Sequence, residues 1–391
     1  MRRLLRGRLG LLGGLLCVGV GPGLGHAEGT AADTVIVARI HKVSLRRGHT
    51  SLTERREVSA AAREVLLQVP DGVSPPFAVI QRELLRKQVI EPIHRQIVAG
   101  FATAEPGALL DAMEPMLEQA LGDRKWRWFG VAVRPIDSER SRLLIVLVES
   151  GIDLVPPPAA TQLSEKPVPL SGTVLAPYSK PQVLLTDPLG QVMPLPIVVR
   201  GREFSGSLRC QSVGLYKIEV IGESKLGPQV LANFVWPCAA TLPSLPPTAV
   251  GPPVAQVMRT IAESEAELLR LLNRDRAQAR LGPLTLDARL SRIARAHSEE
   301  MVRKRSVFHH SPTTGTPEDR VRRAKIKNSI IAENLAQAPT EEEAERSLMD
   351  SPGHRRNILD PSLTQVGIGV ATLMTPQGSR QLYITQLFIA E

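Results

Sequence analysis

Apolar positions along the chain change period several times, and each change predicts a different kind of element. Val35–Ile40 is an apolar run of strand length. Between Val79 and Val98, Ile80, Leu84, Ile90, Ile93 and Ile97 recur at helical spacing and predict an amphipathic helix, with Pro92 imposing a kink or break near Glu91. A second helix is expected over Ala108–Leu121, then strands over Trp126–Val133 and Leu143–Val148. Further on the runs shorten and become rich in branched residues. Val183–Leu185, Leu195–Val199, Phe204–Leu208, Leu215–Ile221 and Val230–Trp236 predict strands, with turn signals at Asp187-Pro188-Leu189-Gly190 and Leu226-Gly227-Pro228. Helical spacing returns over Glu263–Arg280 and Asp287–Lys304, and Thr340 with Glu343 forms a capping-box pattern for a third helix. Val366–Val370 and Leu382–Ile389 alternate, with Pro376 and Gly378 between them, and predict a closing β-hairpin.

Proline density divides these patterns. Residues 155–169 and 239–253 read as linkers, because prolines extend the backbone and remove donors. The expected fold class is therefore a multidomain α+β protein. An α+β region over 28–154 precedes a β-sandwich over 170–238 that resembles immunoglobulin-like modules, and an α-β-α sandwich follows over 254–391. No internal repeat is visible in the sequence.

Composition then narrows the function. The chain has 391 residues, with only 7 Phe, 3 Tyr and 3 Trp, too few to stack bases along a nucleic-acid strand. Residues 1–27 read as a secretory leader, with Arg2, Arg3, Arg6 and Arg8 before an apolar stretch and a small-x-small site at Gly25-His26-Ala27. Removing those four arginines lowers the formal charge of +9 to about +5, which argues against DNA binding. Cys17 follows Leu16, where a lipoprotein carries a small residue, so lipidation is disfavoured. No later segment is apolar for long enough to span a membrane. An exported address, periplasmic or extracellular, favours a disulfide between the remaining Cys210 and Cys238 over two buried thiols.

The last third of the chain carries the candidate chemistry. His310-Ser311-Pro312 follows the second predicted helix, Glu333 interrupts the apolar run Ile330–Ala336, and Ser351-Pro352-Gly353-His354 presents an imidazole at a turn. A buried Glu333 requires a cation or donor beside it. With these go Leu272-Asn273-x-x-Arg276, Ala294-x-x-His297-Ser298-x-x-Met301, Ala332-Glu333-Asn334, Arg355-x-Asn357-Ile358-Leu359, Val366-Gly367-Ile368-Gly369 and Thr385-Gln386. In this order the motifs resemble the CAP superfamily (cysteine-rich secretory proteins, antigen 5 and pathogenesis-related proteins), above all its exported bacterial SCP-domain branch. The resemblance covers about residues 264–391. It implies an α-β-α sandwich with a cleft in which His310 and His354 match the two histidines and Glu333 the glutamate; His309 is the second candidate for the first histidine. Eukaryotic relatives supply another glutamate where this chain offers only Asp350, and Leu348 stands where many relatives have Trp.

The resemblance also implies that His310 and His354 hold a divalent ion such as zinc in some relatives, against the alternative of a polar cluster that fixes three loops. The leading function class is a binding module for a lipid, an envelope polymer or a protein partner. A hydrolase using Ser311, His310 and Glu333 is the alternative, though neighbouring residues on an extended chain point apart, and HExxH and GxSxG are both missing. Catalytic residues are therefore not assigned. His297 reads as a core histidine, His94 as a hydrogen-bonded structural one, and the basic run Arg320–Lys327 as a solvated helix face rather than an anion-binding patch.

Overall fold

The structure is a computed structural model describing residues 31–103, 106–122, 126–158, 162–241, 259–374 and 380–390. The leader, Cys17, most of the second proline-rich stretch and the turn with Pro376 and Gly378 lie outside the described residues.

The first module comprises α1 (Ala31–Arg46), β1 (Thr53–Glu54), α2 (Arg56–Gln68), α3 (Phe77–Arg86), β2 (His94–Ala102), α4 (Pro106–Leu121), β3 (Trp126–Pro135) and β4 (Arg140–Glu149). Its sheet runs β1-β3-β4-β2. Helices α1 and α4 bury Ile36, Ile40 and Leu117 on one face, and α2 and α3 bury Val58, Val65, Ile80 and Leu84 on the other. The strand expected over Val35–Ile40 is instead helix α1. Ile36, Ile40 and Val43, all fully buried, follow a four-then-three spacing that a six-residue run is too short to reveal. The single helix expected over 79–98 is likewise corrected. It ends at Arg86, Gln88 turns with φ 58°, and beyond Pro92 the chain enters β2 to pair with β4.

The second module contains β5 (Ile152–Leu154), β6 (Ser164–Val174), β7 (Ser179–Thr186), β8 (Val192–Pro194), β9 (Ile197–Arg200), β10 (Glu203–Cys210), β11 (Gly214–Ser224) and β12 (Gly227–Cys238). Its sheets run β5-β6-β10-β9 and β12-β11-β7-β8 around a core that includes Val174, Leu208, Ile218, Val220 and Trp236. A Cys210–Cys238 disulfide ties β10 to β12 across a separation of 28 residues, and closing such a loop stabilises the fold by roughly 3–4 kcal/mol. Residues 164–169 of the first expected linker belong to β6. Pro167 and Pro169 fit there because β5 pairs only with Gly172–Val174, leaving that half of the strand with a free edge.

The third module has α5 (Ile261–Gln278), β13 (Thr285–Leu286), α6 (Ala288–Lys304), α7 (Pro317–Arg323), β14 (Ile330–Ala338), α8 (Glu341–Asp350), α9 (Pro352–Ile358), β15 (Gln365–Met374) and β16 (Arg380–Ala390). Its sheet runs β13-β15-β16-β14. Helices α5, α8 and α9 bury Leu268, Leu272, Leu348 and Ile358 on one face, and α6 and α7 bury Leu290, Ala294 and Val321 on the other. The expected α-β-α sandwich is thus present. Gly367 and Gly369 set the spacing between β15 and α6, since an added Cβ would lie 2.3 Å from Leu290 C and 2.0 Å from Arg295 N.

The first and third modules share one topology, a repeat that the sequence conceals. Element order, sheet order and strand directions correspond throughout, with α9 an addition. Glu54 pairs with Phe129 one residue before Gly130, as Leu286 pairs with Val366 one residue before Gly367. An added Cβ on Gly130 would meet α2 at 2.3 Å from Ser59 N. Arg55 N donates to Phe129 O at 2.9 Å, and Asp287 N to Val366 O at 2.9 Å. Ser59 Oγ accepts from Val131 N (3.0 Å) as Ser291 Oγ accepts from Ile368 N (3.3 Å). Following the register across each sheet, Gly130–Val146–Gln96 matches Gly367–Leu387–Glu333. Gln96 therefore stands where the third module has Glu333.

Candidate functional site

The edge strand β14 places Glu333 on the α6–α7 side of the sheet, with its side chain 2% exposed. His309 Nδ1 lies 2.9 Å from one carboxylate oxygen, and the Arg320 guanidinium pairs with the other. Arg320 also donates to His309 O (3.1 Å) and Gly315 O (3.0 Å), fixing the loop that carries the histidine. Burial alone would push the Glu333 carboxyl up. The His309 hydrogen bond and the charges of His309 and Arg320 outweigh that and hold it below the usual carboxylate range. The cation that a buried Glu333 requires is thus Arg320, one residue of the run read as solvated; it is 6% exposed.

His354 enters from the other side of the strand edge on α9. Burial pushes its imidazole down to about 3, with the nearby His309 charge adding to the effect, so the ring is neutral at physiological pH. Asn334 Nδ2 donates to His354 O (3.1 Å) and to Gln386 Oε1 (3.1 Å), and Asn357 Nδ2 donates to Asn334 Oδ1 (2.9 Å). These amides join α9, β14 and β16. His309, Glu333 and Arg320 therefore meet at one sheet edge, with His354 carried beside it on α9, near enough to feel the charge of His309.

The other expected site residues fall elsewhere. The ring on Glu333 is that of His309, the second candidate, whereas the His310 ring lies against Gly227 of the β-sandwich. Residues 309 and 310 lie in a bend that points both amides at Leu226 O while it turns the His309 ring to the carboxylate and the His310 ring to Gly227. Asp350 is 60% exposed and pairs with Lys217 of β11, away from Glu333. The buried acids of α8 are Glu341, which pairs with Arg259 at 3.0 Å, and Glu345, which sequence reading overlooked. Glu345 accepts from Gln386 Nε2 at 2.8 Å, its other oxygen has no partner among the described residues, and burial pushes it up to about 8. Ser311 Oγ donates to the Glu300 carboxylate at 2.8 Å and accepts from the amides of Thr313 (2.9 Å) and Thr314 (2.7 Å). It shapes a tight turn and is bonded to no imidazole. His297 is 1% exposed, with Nε2 2.8 Å from Phe308 O, as a core histidine should be.

Glu333 is not free to ligate the divalent ion that the resemblance implies at His310 and His354. Both Glu333 oxygens are engaged, one of them by a guanidinium whose charge opposes a dication, while the Nδ1 contact to that carboxylate leaves His309 its Nε2. Among the described residues no group of three His, Cys, Asp or Glu side chains is arranged to hold a metal ion.

The β-sandwich covers this edge, which the resemblance marks as the cleft. Leu226 O, in the β11–β12 turn, accepts from both His309 N and His310 N at 3.0 Å. On the opposite rim Glu219 of β11 accepts from Ser351 Oγ and from Gly353 N (2.9 Å) and is fully buried, which pushes its carboxyl up to about 6. Arg355 Nε donates to Gly190 O at 3.3 Å. Glu219 lies in another module, and no local signal in the sequence marks it as part of the rim.

Residues 269–388 match the model of the CAP family, described as the cysteine-rich secretory protein family. The C-terminal module is a CAP domain. Among curated proteins, the Bacillus subtilis protein YkwD is 38% identical over 111 residues, 28% of this chain and 43% of YkwD. The Bacillus subtilis membrane protein YlbC is 30% identical over 108 residues, 27% of this chain and 31% of YlbC. The chain thus spans less than half the length of either. Among solved structures, an SCP-domain extracellular protein from Bacillus anthracis is 17% identical with a TM-score of 0.31, over 61% of this chain and 88% of that one. An outer surface protein from Borrelia burgdorferi is 20% identical with a TM-score of 0.30, over 34% of this chain and 96% of that one.

Most of the CAP motif residues have architectural roles here. Asn273 pairs with both backbone groups of Leu284 (3.2 and 2.9 Å), and Arg276 donates to Ile358 O (2.8 Å) and Asp360 O (2.9 Å) beyond α9. Ser298 Oγ joins Gly369 O and Thr385 Oγ1, both at 2.9 Å.

Proposed function

We propose that the CAP domain acts as a non-catalytic binding module of an exported protein and that its ligand contacts the His309–Glu333–His354 edge. One observation carries this reading. The polar groups of the cleft are committed to one another, with Glu333 neutralised by His309 and Arg320, and the only serine of the His-Ser-Pro motif is held by Glu300 and two amides. The hydrolase alternative needs an imidazole within hydrogen-bond reach of Ser311 Oγ, which instead donates to the Glu300 carboxylate and accepts from two backbone amides that occupy its lone pairs. The leader-like first 27 residues and the Cys210–Cys238 bridge support export. Among the described residues no helix is long and apolar enough to cross a membrane.

The test pairs turnover with binding. The labelled full chain should bind isolated envelope fragments, and a His309→Ala/His354→Ala variant of unchanged melting temperature should lose that binding. A peptide and ester library should remain uncleaved. Turnover that disappears in Ser311→Ala would replace this reading with a hydrolase.

A further inference from the structure

Glu219 is out of place for a sandwich residue. Its strand neighbours Ile218 and Val220 belong to the sandwich core, so by alternation Glu219 points out of the module, where it is nevertheless fully buried. What buries it is the CAP domain. Ser351 Oγ and the Gly353 amide donate to its carboxylate, and a Cβ added to Gly353 would lie 2.7 Å from Glu219 Oε1. Across the cleft, two successive amides, His309 and His310, converge on the single carbonyl of Leu226. Gly227 completes the fit. Its φ of 94° favours glycine, and an added Cβ would meet His309 Cβ at 2.8 Å and His310 Cδ2 at 3.0 Å. Lys217, two residues before Glu219 on the same strand face, pairs with Asp350 at the margin.

Donors on both rims of the cleft are thus matched to two acceptors of one hairpin, a carboxylate on its strand and a carbonyl at its turn. We propose that the cleft is built to receive a protein hairpin, that the β11–β12 hairpin of this chain is its resident occupant, and that an outside protein reaches His309 and His354 by offering the same pair of acceptors once that hairpin withdraws. The outside partner rests on the binding reading above, whereas resident occupancy does not.

Hydrogen exchange on the full chain tests occupancy without any outside ligand. Glu219→Lys sets a cation against the donors of Ser351 and Gly353 while leaving the core of the sandwich intact. Exchange at the amides of His309, His310 and Gly353 should rise about tenfold or more, the size of one lost charge-assisted hydrogen bond. Amides within α6 and β16 should keep their wild-type rates. Lys217→Glu, which only repels Asp350, should act in the same direction but more weakly. Glu219→Gln, whose oxygen can still accept from Gly353 N while its amide donates to the rotatable Ser351 hydroxyl, should stay near wild type. Unchanged rates at the three amides in both charge variants would overturn the proposal. So would a uniform rise across the CAP domain, which would make the contact part of one folding unit rather than a removable occupant. If occupancy holds while no envelope or protein ligand is found, the fault lies with the binding reading alone.

Discussion

The first and third modules build the same layered topology around sheets of the same order, yet only the third carries the CAP motifs. The difference lies in the polar positions. Where β14 has Glu333 and Asn334, the matching positions on β2 are Gln96 and Ile97. Gln96 Nε2 still reaches the loop after α2, donating to Pro75 O at 2.8 Å, much as Glu333 holds the loop after α6. A neutral amide performs the tether without a buried charge, so this module needs no counterpart of Arg320. The backbone device that both keep is the glycine beneath the central helix, Gly130 or Gly367, together with the serine above it, Ser59 or Ser291. Layer spacing belongs to the topology, and the cleft is an addition that one copy carries.

That comparison can be broken most forcefully at the ion pair. Arg320→Ala leaves Glu333 buried without its guanidinium and should destabilise the CAP domain by about 3–5 kcal/mol in denaturant titration. Gln96→Ala, which removes a neutral tether, should cost only about 1 kcal/mol. Comparable losses would mean that the two loops are held in the same way. At the shared device, Gly130→Ala and Gly367→Ala should each cost about 1–3 kcal/mol by forcing helix and sheet apart, and a loss in only one module would show that the repeat is superficial.

Glu345 sharpens the contrast through pH. Its folded pKa is raised to about 8 from 4.5, so the folded protein holds this proton more tightly than the unfolded chain does. Stability therefore falls as pH rises from about 4.5 to 8. Glu345→Gln should melt with wild type near pH 4.5 and at a higher temperature above pH 8, as read by calorimetry. A temperature difference independent of pH would contradict the assignment. The smallest effect is expected in the first module. There both ring nitrogens of His94 are buried without hydrogen-bond partners among the described residues, beside Phe77 stacked at 4.1 Å, and burial pushes the ring down to about 3. The expectation of a hydrogen-bonded histidine fails at this position. His94→Phe should be neutral or stabilise by up to about 1 kcal/mol, and a clear destabilisation would reveal a partner for the ring.

Legibility in the sequence followed the range of the interaction concerned. The strands of the sandwich, helix α6, the Thr340 cap of α8 and the closing hairpin could all be read, because alternation, helical spacing and caps are local. The Val35–Ile40 run misled because an apolar stretch of six satisfies both periods. At the site, Glu333 announced itself as a charge inside an apolar run. The choice between His309 and His310 could not be read, since it depends on which of two successive side chains the loop turns toward β14. Arg320 was hidden in a basic run whose composition is that of a solvated surface.

By itself, then, the sequence determined the periods, the caps and the CAP motif order, and with them the architecture of the last third of the chain. Only the tertiary structure decided that the first module repeats that topology, that His309 rather than His310 meets Glu333, and that Glu219 closes the cleft from another module. The physical reason is that these are matters of register and approach between segments far apart along the chain. They depend on which backbones and side chains come into contact, and no local periodicity encodes that.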